Sequence, residues 1–264
     1  QAALNSLEKI SSKDSRLREA YQKVTYYRGV EQFRNKQYAD AVSMFDRSLV
    51  YKEMNAELMA QALYWRGEAN YNLGRNDAAV TDWESFRKLP GASSMPGYDL
   101  IDYNLGYVFY NEGEYAKALP YFIAFSNRAD AQTRPDIASD VRNRIADCYY
   151  IRADYPSAIA NYDKVIEFGR LDADYAMFQK GFAQGLSNDN QAKVSTLTAL
   201  INKYPKSAYV PNALFERGRA YVVLEQPARG EADFTNIIAW YTNSQFVPPA
   251  MVQLGLIYYN AGEN

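Results

Sequence analysis

The chain has 264 residues, 48% of them hydrophobic, and a net charge of −2. That length suffices for a sizeable or a long stacked core. The charge balance lacks the basic excess of a nucleic-acid binder, and no apolar run approaches the roughly 18 residues of a membrane-spanning helix. The absence of histidine removes the commonest general base, metal ligand and near-neutral pH switch, and with them any Ser-His-Asp or Cys-His arrangement within the chain. One cysteine, Cys148, leaves no internal disulfide and reads as a small buried side chain.

The predicted elements are helical from end to end. Ala3, Leu7 and Ile10 keep helical spacing and predict a helix over 3–10. Gly29 then opens GVEQFRNKQYADAVSMF, Gly67 opens GEANYNLGRNDAAVTDW, Gly106 opens GYVFYNEGEYAKALPYF and Ala146 opens ADCYYIRADYPSAIANY. Weaker copies begin at Gly181, Gly218 and Gly255. In each, apolar residues recur at i, i+3, i+4 and i+7, stop at a turn and resume, which is the pattern of a helix hairpin. In the third copy the spacing predicts helices over 98–111 and 115–127, with Gly113 at a left-handed helix end. Pro156 and Pro227 fall at the starts of second helices, where a missing N–H costs nothing. Pro120 lies about a turn in and predicts a local backbone adjustment.

A mid-helix glycine costs about 1 kcal/mol relative to alanine, so Gly106 needs a reason. Twelve residues after each opening small residue stand Ala41, Ala79, Ala118, Ala158, Lys193 and Gly230. Four further on stand Phe45, Trp83, Phe122, Tyr162, Leu197 and Phe234. The fixed offset predicts that small residues such as Gly106 and Ala118 face each other where the two helices of a hairpin cross, with Phe109 and Phe122 beside them. Copies start 35 to 40 residues apart, so the unit is rigid inside and variable in its connections. Lys193 predicts a looser crossing in the fifth copy.

With glycine, aromatic, alanine and aromatic at these offsets, the chain resembles the tetratricopeptide-repeat family. Gly106, Phe109, Ala118 and Phe122 carry the pattern, as do Gly67, Ala79 and Trp83, while Pro205 stands at the family's closing proline. The resemblance implies an all-α, right-handed superhelical solenoid of about fourteen helices. Its divisions would be a second helix at 1–12, repeats at 17–53, 55–92, 94–130, 134–170, 172–205 and 207–243, and a truncated first helix at 247–264. Both ends fall inside repeats, so a segment of a longer array is expected. The faces left open there, Leu4, Leu7 and Ile10 at one end and Met251, Leu254, Leu256, Ile257 and Tyr258 at the other, predict self-association end to end. The run from Asn202 to Gly218, NKYPKSAYVPNALFERG, is also similar to junctions in bacterial cell-envelope tetratricopeptide proteins, including the outer-membrane assembly lipoprotein and the periplasmic partner of the Tol–Pal system. That favours a periplasmic or envelope location.

The resemblance further implies a concave groove lined by the first helices. Carried over repeat by repeat, it would present Tyr26 and Phe33; Tyr64 and Tyr71; Tyr103, Tyr107 and Tyr110; Asn143, Asp147 and Tyr150; and Phe178 and Phe182. Such a tyrosine-rich surface suits a protein or peptide partner. The alternative is a carbohydrate or small molecule stacked on groove aromatics, for which Asn143, Asp147 and Tyr150 come nearest. The family's carboxylate clamp needs Lys where this chain has Tyr26, Tyr64, Tyr103, Asn143, Phe178, Phe215 and Val252, so chaperone-tail binding is excluded. No phosphate-cradling loop, metal or cofactor motif occurs. The pairs Asp172/Asp174 and Glu112/Glu114 read as helix caps or solvated acids, and no catalytic role is expected.

Overall fold

A computed structural model describes residues 2–128, 134–169 and 171–262. Among them are fourteen α-helices and no strand. The chain forms two compact units, residues 1–121 and 122–264.

In the first unit α1 is Ala2–Glu8, α2 Ser15–Arg34, α3 Tyr38–Leu49, α4 Ala56–Asn72, α5 Asn76–Arg87 and α6 Ile101–Asn111, and α7, Tyr115–Ser126, begins there. From α2 to α6 each helix packs on the next, and α2 also meets α4. One core layer gathers Tyr26, Ala41, Phe45, Ala62 and Ala69, and the next Tyr64, Ala79, Trp83, Phe86, Ile101 and Leu105. Asp14 and Asn55 accept hydrogen bonds from the Leu17 and Leu58 N–H groups, capping α2 and α4. α1 is shorter than predicted, and it packs on α2 with Leu4 buried. The open face predicted at Leu4 is therefore partly closed from within the chain.

The second unit contains α8 Pro135–Ile151, α9 Tyr155–Phe168, α10 Ala173–Leu186, α11 Asn190–Lys203, α12 Val210–Val223, α13 Pro227–Trp240 and α14 Val247–Ala261. Successive helices again pack pairwise, and α10 also meets α12. Its layers centre on Ala158, Tyr162 and Val165, and on Leu197, Leu200, Phe234 and Ile237. Pro156 and Pro227 lie in the first turns of α9 and α13, and α7 continues through Pro120. Leu254 and Ile257 pack on the core, whereas Met251, Leu256 and Tyr258 remain exposed.

The glycines show what fixes each hairpin. A Cβ added at Gly29, Gly67, Gly181 or Gly218 would lie 2.5 to 2.8 Å from Phe45, Trp83, Leu197 or Phe234 respectively. The large side chain sixteen residues on therefore sits directly on the glycine rather than beside it. Small residue meets small residue at Gly230, whose added Cβ would stand 2.8 Å from the Gly218 carbonyl. The fifth crossing is as close as the others, so the looseness predicted from Lys193 does not occur.

The turns repeat as strictly. Lys36, Gly74, Gly113, Ala153, Asn188, Glu225 and Gly262 each follow the opening small residue by seven positions, and all adopt φ between 58° and 79°. Of these, Gly113 is the position that the sequence predicts as a left-handed helix end. A non-glycine residue there carries a steric cost of roughly 1–2 kcal/mol, partly offset by the larger entropy that glycine loses. Ala153→Gly is thus expected to stabilise the second unit by about 0.5 kcal/mol, measured as a higher urea midpoint; a lower midpoint would show that the turn is unstrained.

Candidate functional site

Because the first helices succeed one another, residues at equivalent positions of α2, α4 and α6 recur along the first unit. Tyr26 and Tyr64 are nonetheless buried. Tyr26 meets Tyr27 edge to face at 5.1 Å, and burial raises its pKa. The Tyr64 ring lies against Gly97, whose φ of 91° and missing side chain let the 88–100 connection close over it. That connection holds two short 3₁₀ turns, Ala92–Ser94 and Tyr98–Leu100, so α6 starts three residues later than predicted. Phe33 packs at 5.0 Å on Trp65, which lies outside the predicted groove set. Trp65 also lines, with Tyr26, Tyr27 and Val30, a cleft of about 470 Å³ rimmed by Glu31 and Arg34.

Tyr103, Tyr107 and Tyr110 remain partly exposed and form a ladder, with ring centroids 4.8 and 6.1 Å apart. Tyr71 is also part-exposed, and its hydroxyl accepts from Asn111. Glu68, on α4 with Tyr71, also reaches α6. The Asn104 amide donates to its Oε1 at 2.5 Å, and the Tyr64 hydroxyl bonds it as well. Burial raises the Glu68 pKa against the lowering by these two hydrogen bonds. This carboxylate has no cation paired to it among the described residues; Tyr71 follows it by one helical turn on α4, and Tyr107 follows its partner Asn104 by one turn on α6.

In the second unit the predicted residues divide. Tyr150, Phe178 and Phe182 are part-exposed, with Phe182 6.3 Å from Tyr150 and 6.2 Å from Phe178. Asn143 is fully buried, and neither of its side-chain amide atoms has a partner among the described residues. Asp147 is also buried, and it accepts from the Tyr162 and Tyr175 hydroxyls at 2.6 and 2.9 Å and pairs with Arg144 at 2.8 Å. It ties α8 to α9 and α10 and is not presented to a ligand as the sequence predicts.

Beside Phe182 opens a cleft of about 480 Å³, lined in part by Leu186, Lys193, Glu216, Arg219 and Val223. Lys193 and Glu216 are both buried and paired at 2.5 Å, and the Lys193 ammonium stands 5.6 Å from the Phe182 ring centroid. Arg219 approaches the other Glu216 oxygen at 3.3 Å. Cys148 is fully buried with its thiol pushed up to about 12, chiefly by burial, as befits an unreactive side chain. Asp174 and Glu112 accept from Ser207 and Asn76 of other helices or turns, so these acids link repeats rather than simply cap them. Among the described residues no helix is long and apolar enough to cross a membrane.

Tetratricopeptide-repeat family models match residues 26–91 and 175–207. No curated protein matches the chain. Among solved structures, the C-terminal part of a tetratricopeptide protein from Cytophaga hutchinsonii is 17% identical, with a TM-score of 0.66 over 96% of this chain and 92% of its own. A tetratricopeptide-repeat protein from Parabacteroides merdae is 15% identical, with a TM-score of 0.59 over 92% and 88%. YrrB, described as a tetratricopeptide protein with an unusual peptide-binding site, is 15% identical, with a TM-score of 0.56 over 81% and 97%. Residues 26–91 and 175–207 thus carry tetratricopeptide-repeat sequence, and the described residues have the all-α repeat fold of tetratricopeptide solenoids.

Proposed function

We propose that the protein is a non-catalytic interaction scaffold whose first unit holds a peptide or partner helix carrying a basic side chain. The observation that carries this reading is Glu68, partly buried with a raised pKa and bonded to Asn104 of α6, the helix that carries the part-exposed Tyr103, Tyr107 and Tyr110. An incoming ammonium or guanidinium would restore the charge balance that burial disturbs, while the rings bury its aliphatic stem. Peptide binding by the similar fold of YrrB agrees with this use of the scaffold. The second unit carries an aromatic surface of its own at Tyr150, Phe178 and Phe182. The burial and internal bonding of Asp147 disfavour the carbohydrate alternative at Asn143, Asp147 and Tyr150. We also propose the repeat limits given above and, from the Asn202–Gly218 junction, an envelope location.

Selection of peptides from a random library tests the reading. Selected sequences are expected to share a lysine or arginine, and Glu68→Gln should weaken their binding by about 2 kcal/mol or more. Equal binding to Glu68→Gln would exclude Glu68 as the anchor. The same variant has a stability signature of known sign. The folded-state pKa of Glu68 lies above its unfolded value, so ionisation subtracts from stability at neutral pH, and that cost disappears as pH falls through the raised pKa. Glu68→Gln should therefore match or exceed the parent's stability at pH 7, and the difference should shrink on acidification.

A further inference from the structure

The last two inter-repeat junctions share one plan but differ at one place. Tyr204, Ser207, Tyr209 and Pro211 correspond to Tyr241, Ser244, Phe246 and Pro248, each 37 residues on. In both, the serine hydroxyl accepts from the N–H two residues later. Likewise, the aromatic that follows packs on an aromatic of the preceding first helix, Tyr209 on Phe178 at 5.6 Å and Phe246 on Phe215 at 5.2 Å, and Phe178 and Phe215 are themselves 37 residues apart.

The earlier junction is closed. Tyr175 packs on Tyr209 at 5.7 Å, and Ser207 donates to Asp174 at 2.5 Å. In the later one Pro211 and Asn212 occupy the places of Asp174 and Tyr175, and neither fills the space. A shallow cleft of about 430 Å³ results, with no charged residue in its lining. Trp240 stands at its edge in the place of Lys203, 78% exposed. Asn212, Thr242, Asn243 and Gln245 join it, and neither their side chains nor the indole N–H has a hydrogen-bond partner among the described residues.

We propose that this cleft binds a neutral oligosaccharide. An open indole face accepts the apolar C–H face of a sugar ring. Amide and hydroxyl groups offer donors and acceptors together, as a ring of hydroxyls requires. The uncharged lining gives an anionic or cationic ligand no counter-charge. A proline-rich peptide would also stack on Trp240, but its carbonyl acceptors leave the acceptor half of these groups unused. The site lies at the junction of α13 and α14, apart from Glu68, and it does not rest on the peptide-binding reading.

The test titrates the whole protein with maltohexaose, cellohexaose, xylohexaose and chitohexaose to about 10 mM, which detects millimolar binding. The indole N–H resonance of Trp240, assigned by its loss in Trp240→Phe, is the readout. At least one sugar is expected to shift it saturably, and Trp240→Ala, followed through the Asn243 and Gln245 side-chain amide resonances that it retains, should bind about tenfold or more weakly. Pro211→Asp with Asn212→Tyr, which restores the closed junction, should do the same, while circular dichroism shows both variants folded. Glu68→Gln should leave the titration unchanged. The proposal is overturned if none of the four sugars shifts the resonance, if both variants bind as the parent does, or if decaproline binds there and the sugars do not.

Discussion

Lys193→Ala is expected to destabilise the second unit by about 3 kcal/mol, although it installs the small residue that the repeat pattern favours. Ala41, Ala79, Ala118, Ala158 and Gly230 hold the equivalent position, so the pattern alone forecasts a gain. The structure reverses that forecast. The Lys193 stem passes over Gly185, where an added Cβ would stand 2.8 Å from it, and the ammonium reaches Glu216 at 2.5 Å. Both side chains are about 90% buried, so deleting the lysine leaves a carboxylate in a place where solvent cannot compensate it. Arg219 lies 3.3 Å away but is half-exposed, which puts the loss at the lower end of the range for broken buried pairs. Replacing both partners, Lys193→Ala with Glu216→Leu, removes the stranded charge and should recover most of the stability. Urea unfolding of the parent, the two single variants and the double variant checks this. A single Lys193→Ala variant more stable than the parent would mean that the pair contributes nothing beyond its desolvation cost.

Hairpins were legible because the offset between small and large residues never changes, and burying one on the other requires a fixed crossing. Turn geometry was only partly legible. Gly74, Gly113 and Gly262 announce a left-handed residue, but Lys36, Ala153, Asn188 and Glu225 adopt the same backbone with side chains that do not advertise it. Here the packed helices on either side impose the conformation against local preference.

The candidate site was legible as a set of positions but not as a set of exposures. Tyr64 and Tyr103 hold equivalent places on their helices, yet Tyr103 is part-exposed and Tyr64 is covered because Gly97 in a longer connection admits its ring. Asp147 looked like a groove donor, and its partners Tyr162 and Tyr175 lie 15 and 28 residues away with no periodic mark linking them. The bidentate pairs Arg66–Asp82 and Arg217–Asp233 were likewise missed, although both span 16 residues, the same offset that joins each glycine to its large partner. Scanning that offset for opposite charges would have found them.

Gly67→Leu sets two sequence-level forces against each other. Removing a glycine from a helix interior gains about 1 kcal/mol in helix propensity, and α4 runs unbroken through this position. Against that, a Cβ on Gly67 would stand 2.5 Å from Trp83 Nε1 and 2.7 Å from Cδ1, well inside contact distance, before any further leucine carbon is placed. Trp83 cannot easily yield. It is fully buried, its N–H reaches the Tyr64 carbonyl at 3.3 Å, and Tyr71 packs on its ring at 5.8 Å. Displacing it costs at least the 1–3 kcal/mol typical of overpacking, with the indole hydrogen bond lost in addition. We expect a net destabilisation of about 2 kcal/mol in the first unit, with tryptophan emission moving to longer wavelength as Trp83 meets water. Trp83→Ala alone should cost about 3–5 kcal/mol through the cavity it leaves. Combined with Gly67→Leu, which refills part of that space, it should cost less than the sum of the two. Strict additivity in this cycle would mean that the two residues do not press on one another, and the glycine would then need a reason other than the ring seated on it.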